Sequence, residues 1–476
     1  MNRREFLQAS SGAAVGASLL SSAKHATAAA VVEPVPMQDA GALALFVQNK
    51  VELDPVHVAA VKRYSDWKFG MFIHWGPYSQ LSVEASWPIM TPSKEFPVTQ
   101  EEYVTAYKTF DPEKFNPDSF VSLAKDTGMR YMVFTTKHHD GFCMFDTSFT
   151  DYKITSTPYK KDIVVMLSEA ARKQEMPLGL YYSPPDMHHP AFRDTSKPVS
   201  ENWHGQPERP EWPLYLHYME LELRELLTRY GDVALIWFDG LNDQRKYDGY
   251  HIQRAIHDLQ PATLINNRIG IAGDFETPEQ FLPKSIPVKG HYLDFAHKET
   301  GSKPGDVPAR EDFRLWETCM TINNTWAYNK NDHNYKSAKM LIQNLVGVAS
   351  MGGNFLLNVG PGPDGTIQPE FVERLQAIGK WMSVNGESIY GTTYGPLQKL
   401  PYGKTTVKGN KVYLHVLDWT GGDLVAESVG FRVREVRSLA DKSRVNFSQQ
   451  GERLVIHTTG SAPDPYASVL ELATNL

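Results

Sequence analysis

The sequence predicts an α/β protein: a (β/α)8 TIM-like barrel followed by a small C-terminal antiparallel β-sandwich. Two observations lead there. Between about residues 70 and 360, short apolar, β-rich runs alternate with helix-patterned segments, the signature of parallel βαβ units. From about residue 391 the texture changes to short, alternating, turn-bounded segments, as antiparallel strands with one solvated face require.

The barrel strands are expected at GMFIHW (70–75), RYMVFTTK (130–137), PLGLYYS (177–183), VALIWFDG (233–240), ATLINNR (262–268) and NFLLNVG (354–360). Most are continuously apolar, as strands covered on both faces should be. Helices are expected over 116–127, where Phe120, Leu123 and Ala124 share one face, and over 160–175, 213–230, 245–259 and 335–350. Six or more such units favour a closed barrel over an open sheet. The strands between 270 and 330 have no clear pattern. GPGPDG (360–365) formally fits a phosphate-binding glycine motif, but Pro361 and Pro363 lack the N–H groups a phosphate needs, so a turn is expected. KVYLHVLDW, GFRVREVRSL, SRVNFSQQ, RLVIHTT and ASVLELAT then supply the sandwich, with Tyr413, Trp419 and Phe431 fitting its core. The domain boundaries read 31–390 for the catalytic barrel and 391–476 for the sandwich.

Residues 1–30 stand apart. MNRREFLQASSGAAVGASLL joins two arginines to Phe6-Leu7 and a mild Ala/Gly/Leu run, and ATAAA at 26–30 offers small residues for cleavage. The pattern is that of a twin-arginine export signal, and a bacterial periplasmic destination is expected. The apolar run is too short to span a membrane.

With 476 residues, 41% hydrophobic and 22% charged, the chain can bury a full core. A net charge of −7 and no basic stripe argue against a nucleic-acid partner. The two cysteines, Cys143 and Cys319, suggest neither a disulfide framework nor a thiolate metal site, and both are expected to be buried and inert. The oligomeric state is not legible.

In such a barrel, functional residues sit at the C-terminal strand ends. Here those ends carry His74-Trp75, Lys137-His138-His139-Asp140, Tyr181-Tyr182, Trp237-Phe238-Asp239 and Asn266-Asn267-Arg268. Any one of these has an ordinary structural explanation, since a terminal aspartate is commonly a cap and a lone histidine a core residue. Together they point to one polar pocket. No cofactor and no metal centre is expected: His138 and His139 are adjacent, so a pleat sends them to opposite faces, and neither H-x-H nor H-E-x-x-H occurs. There is no G-x-S-x-G elbow for a serine hydrolase. Carboxylates among aromatics remain, which is the requirement of glycoside hydrolysis. Asp239 supplies one; Asp274, Glu276 or Glu279 of GDFETPEQ, or Glu317 of LWETC, could supply the second.

At that point the motifs KFGMFIHWGPYS, TTKHHDGFCMFDT, GLYYSPPD, LIWFDG, DFETPEQ and GGNFLLNVGPGPDG together resemble the α-L-fucosidases of glycoside hydrolase family 29, over about 67–390. The resemblance implies a retaining exo-hydrolase acting on fucosylated oligosaccharides or glycoconjugates through a covalent fucosyl intermediate. It implies Asp239 as nucleophile, Glu279 as acid/base with Glu317 and Glu276 as competitors, and His74, His138, His139, Tyr181 and Arg268 as hydroxyl ligands. Trp237 and Trp326 are implied as aromatic walls, Trp326 near the sugar's methyl group. One departure stands out: where many members read Ser-Glu-Trp, this chain has ASWP, so Ser86 replaces the glutamate while Trp87 is retained. Glu84 lies close by but out of phase. A hydrolase of a related sugar such as an α-L-galactoside, a metal-dependent hydrolase, and a silent sugar-binding protein of the same fold are the alternatives.

Overall fold

The computed structural model describes residues 54–90, 98–241, 243–289 and 306–476, so the expected export signal lies outside the described residues. The described residues belong to one compact unit. Its first helix, α1 (Pro55–Trp67), begins because Asp54 caps it by accepting the Val56 N–H at 2.8 Å and proline takes the first turn; Lys68 ends it in a left-handed conformation. The same logic starts the later helices. Asn116 caps α2 (Pro117–Asp126) and Asp162 caps α3 (Ile163–Lys173), each accepting an N–H three residues on. α4 (Trp212–Arg229), α5 (Gly249–Leu259), α6 (Ala338–Ser350) and α7 (Pro369–Asn385) complete the outer layer.

Between the helices run β1 (Phe69–Ile73), β2 (Tyr131–Lys137), β3 (Leu178–Tyr182), β4 (Leu235–Phe238), β5 (Leu264–Ile265), β6 (Glu317–Thr321) and β7 (Asn354–Val359), all buried along their length. They form one parallel sheet in the order β5-β4-β3-β2-β1-β7-β6. The sheet's two edges are joined by residues 275–279, whose isolated parallel bridges run from Phe275 to Asn266, from Glu276 to Trp316 and from Glu279 to Cys319. This segment takes the place of an eighth strand and closes the ring. It is also why residues 270–330 read poorly from sequence. The closing segment has no apolar ladder, and β5 is two residues long.

Phe72, Val133, Tyr181, Trp237, Leu264 and Leu356 fill the barrel interior from six strands. The GPGPDG stretch is a turn, as expected: Gly365 donates to Gly362, and Gly362 accepts the Trp75 indole.

The chain then builds two antiparallel sheets. One pairs β8 (Thr393–Tyr394), β9 (Gly403–Lys408), β10 (Lys411–Val416), β12 (Val433–Ser438) and β15 (Ser468–Thr474); the other pairs β11 (Leu424–Ala426), β13 (Phe447–Gln450) and β14 (Arg453–Ile456). Val412, Leu414, Leu424, Leu454, Ile456 and Leu470 pack between them, which makes the pair a sandwich. Phe431 joins that core and Trp419 packs against it, as expected. Tyr413 does not: β10 alternates, and its opposite face, including His415, turns toward Trp381 of α7. The Trp381 indole donates to the Ala467 carbonyl and Gln343 of α6 to that of Tyr466, which ties the sandwich to the barrel helices.

Candidate active site

Asp239 follows β4 directly, and its backbone N–H donates to the Tyr182 carbonyl. Its carboxylate is satisfied on both oxygens. Arg268 donates to Oδ1 from Nη1 at 2.9 Å, and the Tyr181 hydroxyl donates to Oδ2 at 3.1 Å. His139 Nε2 lies 3.4 Å from Oδ2. Burial pushes this carboxyl up, but the Arg268 charge and the His139 contact outweigh it and hold Asp239 well below the usual carboxylate range. The strand that opened as an apolar run therefore ends in an ionised carboxylate that is paired rather than stranded.

Glu279 stands across from it. The same Arg268 nitrogen donates to Glu279 Oε2 at 3.2 Å. Two carboxylate oxygens within 2.9 and 3.2 Å of one atom are at most the sum of those distances apart, about 6 Å. Both side chains are only 13% exposed. Glu279 sits on the barrel-closing segment, where a single bridge pairs it with Cys319. Arg268 is itself aimed by Thr277, whose hydroxyl takes the Nε–H and whose carbonyl takes Nη2, each at 2.8 Å, and its guanidinium lies 4.7 Å over the Trp237 ring. Burial would lower the Arg268 pKa, but the two neighbouring carboxylates hold it above its usual value.

The remaining predicted residues form a continuous wall. Tyr181 stacks on Trp237 at 5.7 Å and on His138 at 5.6 Å. His74 lies 4.8 Å from Trp326 and 5.7 Å from His138, and Trp87 sits 6.1 Å from His139. His138 and His139, expected on opposite faces, are 4.2 Å apart on the same side. The reason is that β2 ends at Lys137, so the pleat no longer governs them. Lys137 and Tyr182 do turn outward, to the Glu222 carboxylate of α4. Asp140 is held by the Tyr103 hydroxyl and the Phe142 N–H, and burial pushes it up to about 7. Asn266 ties β4 to β5, exchanging hydrogen bonds with the Phe238 backbone.

The competing carboxylates are elsewhere. Glu317 is the first residue of β6, fully buried, and accepts from the hydroxyls of Tyr64 and Tyr131 and from the Trp237 indole. Burial pushes it up to about 7. Glu276 is buried against Arg314, and Asp274 pairs with His57.

Several working residues escape sequence reasoning. Asn358 of β7 donates to the Trp326 carbonyl and accepts from His74 Nδ1, both at 2.7 Å, which fixes that histidine's tautomer. Ser183 donates to the Pro185 carbonyl, so it must accept the Nδ1–H of His139 at 2.7 Å. Ser86 contacts His138 Nδ1 at 2.6 Å and accepts the Asp140 N–H. Glu84 accepts the backbone N–H of Trp326, so the carboxylate that looked out of phase supports the aromatic wall. Ser86 and Glu84 draw notice only as a departure from the family motif, Ser183 carries no signal, and Asn358 carries a hint: an amide at the C-terminal end of an apolar strand.

A parallel barrel that presents two carboxylates no more than about 6 Å apart, one at a strand end and held ionised and one on the segment that closes the ring, defines a glycoside hydrolase of the double-displacement class. The comparisons agree. A family model for alpha-L-fucosidase matches residues 47–387. The chain is 28% identical over 410 residues to tissue alpha-L-fucosidase of Bos taurus, covering 77% of this chain and 80% of that protein. Among solved structures, alpha-L-fucosidase isoenzyme 1 from Paenibacillus thiaminolyticus matches at 34% identity and a TM-score of 0.76, over 88% of this chain and all of the other. An alpha-L-fucosidase of glycoside hydrolase family 29 from Bacteroides thetaiotaomicron, trapped as a covalent intermediate with 2-fluoro-fucosyl fluoride, matches at 26% identity and a TM-score of 0.73, over 88% of this chain and 96% of the other. This chain belongs to the alpha-L-fucosidase family.

Proposed function

We propose that the chain is a retaining exo-α-L-fucosidase that releases terminal α-L-fucose from fucosylated glycans, with Asp239 as nucleophile and Glu279 as acid/base. The observation that carries the assignment is the single Arg268 nitrogen shared by the two carboxylates. It fits the separation of about 5–5.5 Å that retaining enzymes need.

In the first step an Asp239 oxygen attacks the anomeric carbon while Glu279 gives its proton to the glycosidic oxygen, and the C1–O bond breaks. The positive charge that builds at C1 meets a carboxylate already stripped of water. Esterification removes the Asp239 charge. Glu279, having given up its proton, is the base that takes a proton from the attacking water. Attack of that water on C1 returns Asp239 and gives fucose with retained configuration. His74, His138, His139 and Tyr181 suit the sugar hydroxyls, and Trp326 beside Phe72 suits the methyl group. The aglycone leaves from the Glu279 side.

The decisive test is a panel of aryl glycosides followed by NMR of the first anomer formed. Turnover of the α-L-fucoside with α-fucose as first product is expected; a β product, or preference for the α-L-galactoside, would overturn the reading. The Arg3-Arg4 pair and the small residues at 26–30 support export in folded form to the periplasm. Replacing both arginines by lysine should leave the enzyme in the cytoplasmic fraction.

A further inference from the structure

A second cluster of side chains lies at the other end of β5. His57 is on α1, His257 is on α5, and Asp274 follows β5; one ligating atom from each falls within 4.8 Å of the other two. Their remaining polar atoms are all engaged by backbone. His57 Nδ1 contacts the Pro261 carbonyl at 3.0 Å, so this nitrogen carries a hydrogen. His257 Nε2 contacts the Thr263 carbonyl at 3.0 Å and must do the same. Asp274 Oδ2 accepts the Ile265 N–H at 2.8 Å. What converges is therefore His57 Nε2, His257 Nδ1 and Asp274 Oδ1. His257 Nδ1 has no hydrogen-bond partner, and that residue is only 9% exposed. A buried imidazole lone pair without a donor costs free energy that a neutral core would not spend.

We propose that His57, His257 and Asp274 form a mononuclear site for a divalent transition metal of the zinc class. Imidazoles whose far nitrogen donates to a backbone carbonyl are how proteins orient metal-ligating histidines and set their tautomer. Two imidazoles and one carboxylate match the donor preference of zinc, with water completing four-coordination. Two ligands of one such ion stand roughly 3–3.5 Å apart, given metal–ligand distances of about 2.0–2.2 Å. Binding thus needs the 2.6 Å contact between His57 Nε2 and Asp274 Oδ1 to open slightly and the longer edges to close by ring rotation. The metal takes the place of the proton held between those two atoms and releases it to solvent. A cavity of 630 Å³ is lined by Pro261, whose carbonyl meets His57, and by Val56 and Ala60 of α1.

The site is separate from the fucoside-cleaving centre. The backbone groups that hold the cluster, the carbonyls of Pro261 and Thr263 and the N–H of Ile265, lie before or within β5, whereas Arg268 lies beyond its end. The cluster's role is to pin α1, α5 and the root of the closing segment together, not to touch substrate.

The test uses the full chain, stripped with a chelator and titrated with Zn2+ against a chromophoric competitor. One saturable equivalent is expected, with a rise in Tm on binding and a tetrahedral ligand-field spectrum when Co2+ is used instead. His257→Gln keeps a donor for the Thr263 carbonyl but has no nitrogen at the Nδ1 position; it should bind Zn2+ at least about 100-fold more weakly and show no Tm rise. His57→Asn is the second variant and should behave alike. Aryl fucoside turnover by the wild type should agree within about two-fold with and without Zn2+. Absence of a saturable equivalent in the stripped wild type, or equal affinity in either folded variant, would overturn the site.

Discussion

Replacing Arg268 by methionine is the sharpest probe of the carboxylate pair. The side chain keeps its packing over Trp237 but loses the one nitrogen that faces both Asp239 and Glu279. Unit charges about 4 Å apart interact by about 4 kcal/mol at an effective dielectric of about 20, equivalent to about 3 pH units on the titration of the partner. Asp239 is now held well below the usual carboxylate range despite its burial, and Arg268 is the largest cause acting in that direction. Asp239 must be ionised to attack, so activity falls as pH drops through its pKa. Losing the cation raises that pKa, and the acid limb of kcat/KM must move to higher pH. Water entering the vacated space and the remaining His139 contact reduce the effect, so the limb is expected to move from below the range assayed up to about the ordinary carboxylate value near 4. The pH-independent plateau should also fall by about 100-fold or more, because the group that holds Asp239 and Glu279 in position relative to one another is gone. The assay is the pH profile of kcat/KM on 4-nitrophenyl α-L-fucoside from pH 3 to 9, with near-UV circular dichroism to confirm folding. A folded variant whose acid limb stays where the wild type has it would refute the claim that Arg268 sets the ionisation of Asp239. Arg268→Lys, which keeps charge but not the fork, should fall between the two.

Asp239→Ala should lose several orders of magnitude in turnover with its melting temperature nearly unchanged, and normal turnover would reject it as nucleophile. Glu279→Ala should regain turnover of an activated aryl fucoside when azide is added, while Glu317→Ala should not; rescue at Glu317 alone would move the acid there. Asn358→Leu releases both His74 and the Trp326 carbonyl, so kcat/KM should drop by about 10–100-fold, and wild-type kinetics would remove Asn358 from the site. For Glu317→Gln the readout is stability against pH. Glu317 keeps its proton up to about 7 in the fold but releases it near 4.5 when unfolded, so wild-type stability declines as pH rises across that window, by up to about 3 kcal/mol. Glutamine does not titrate there, so the Tm of the variant minus that of the wild type should grow from pH 4.5 to 7.5; parallel curves would contradict it.

The barrel was legible where burial imposes a composition. β1 to β4 and β7 are enclosed on both faces, so their runs of Val, Ile, Leu, Phe and Met announce themselves. The nucleophile was readable because a charge at the end of such a run needs a reason. The closing segment, Phe275 to Glu279, was not, because its pairing is a set of single bridges and the carboxylates in and around it, Asp274, Glu276, Glu279 and Glu317, differ only in what the fold brings beside them. Sequence places four acids in one region; only three dimensions show that Arg268 meets Glu279 while Tyr64, Tyr131 and Trp237 meet Glu317. Ser183 and Thr277 were invisible, and Asn358 nearly so, for a related reason. Their work is to hold another residue's ring or guanidinium, and no spacing rule encodes that. The adjacent His138 and His139 misled because the pleat rule was extended two residues past the end of β2.

The closing segment gives the catalytic carboxylates unequal footing. Asp239 hangs from β4 in the continuous sheet, where a shift would break a paired ladder on either side. Glu279 is stitched to its neighbours at separate points, so its backbone can be lengthened, shortened or slid with little disturbance to the rest. Variation in this fold thus has a natural outlet. The covalent step stays anchored, while the proton donor can be re-aimed toward differently shaped leaving groups, and libraries seeking new linkage preference are best confined to residues 275–280.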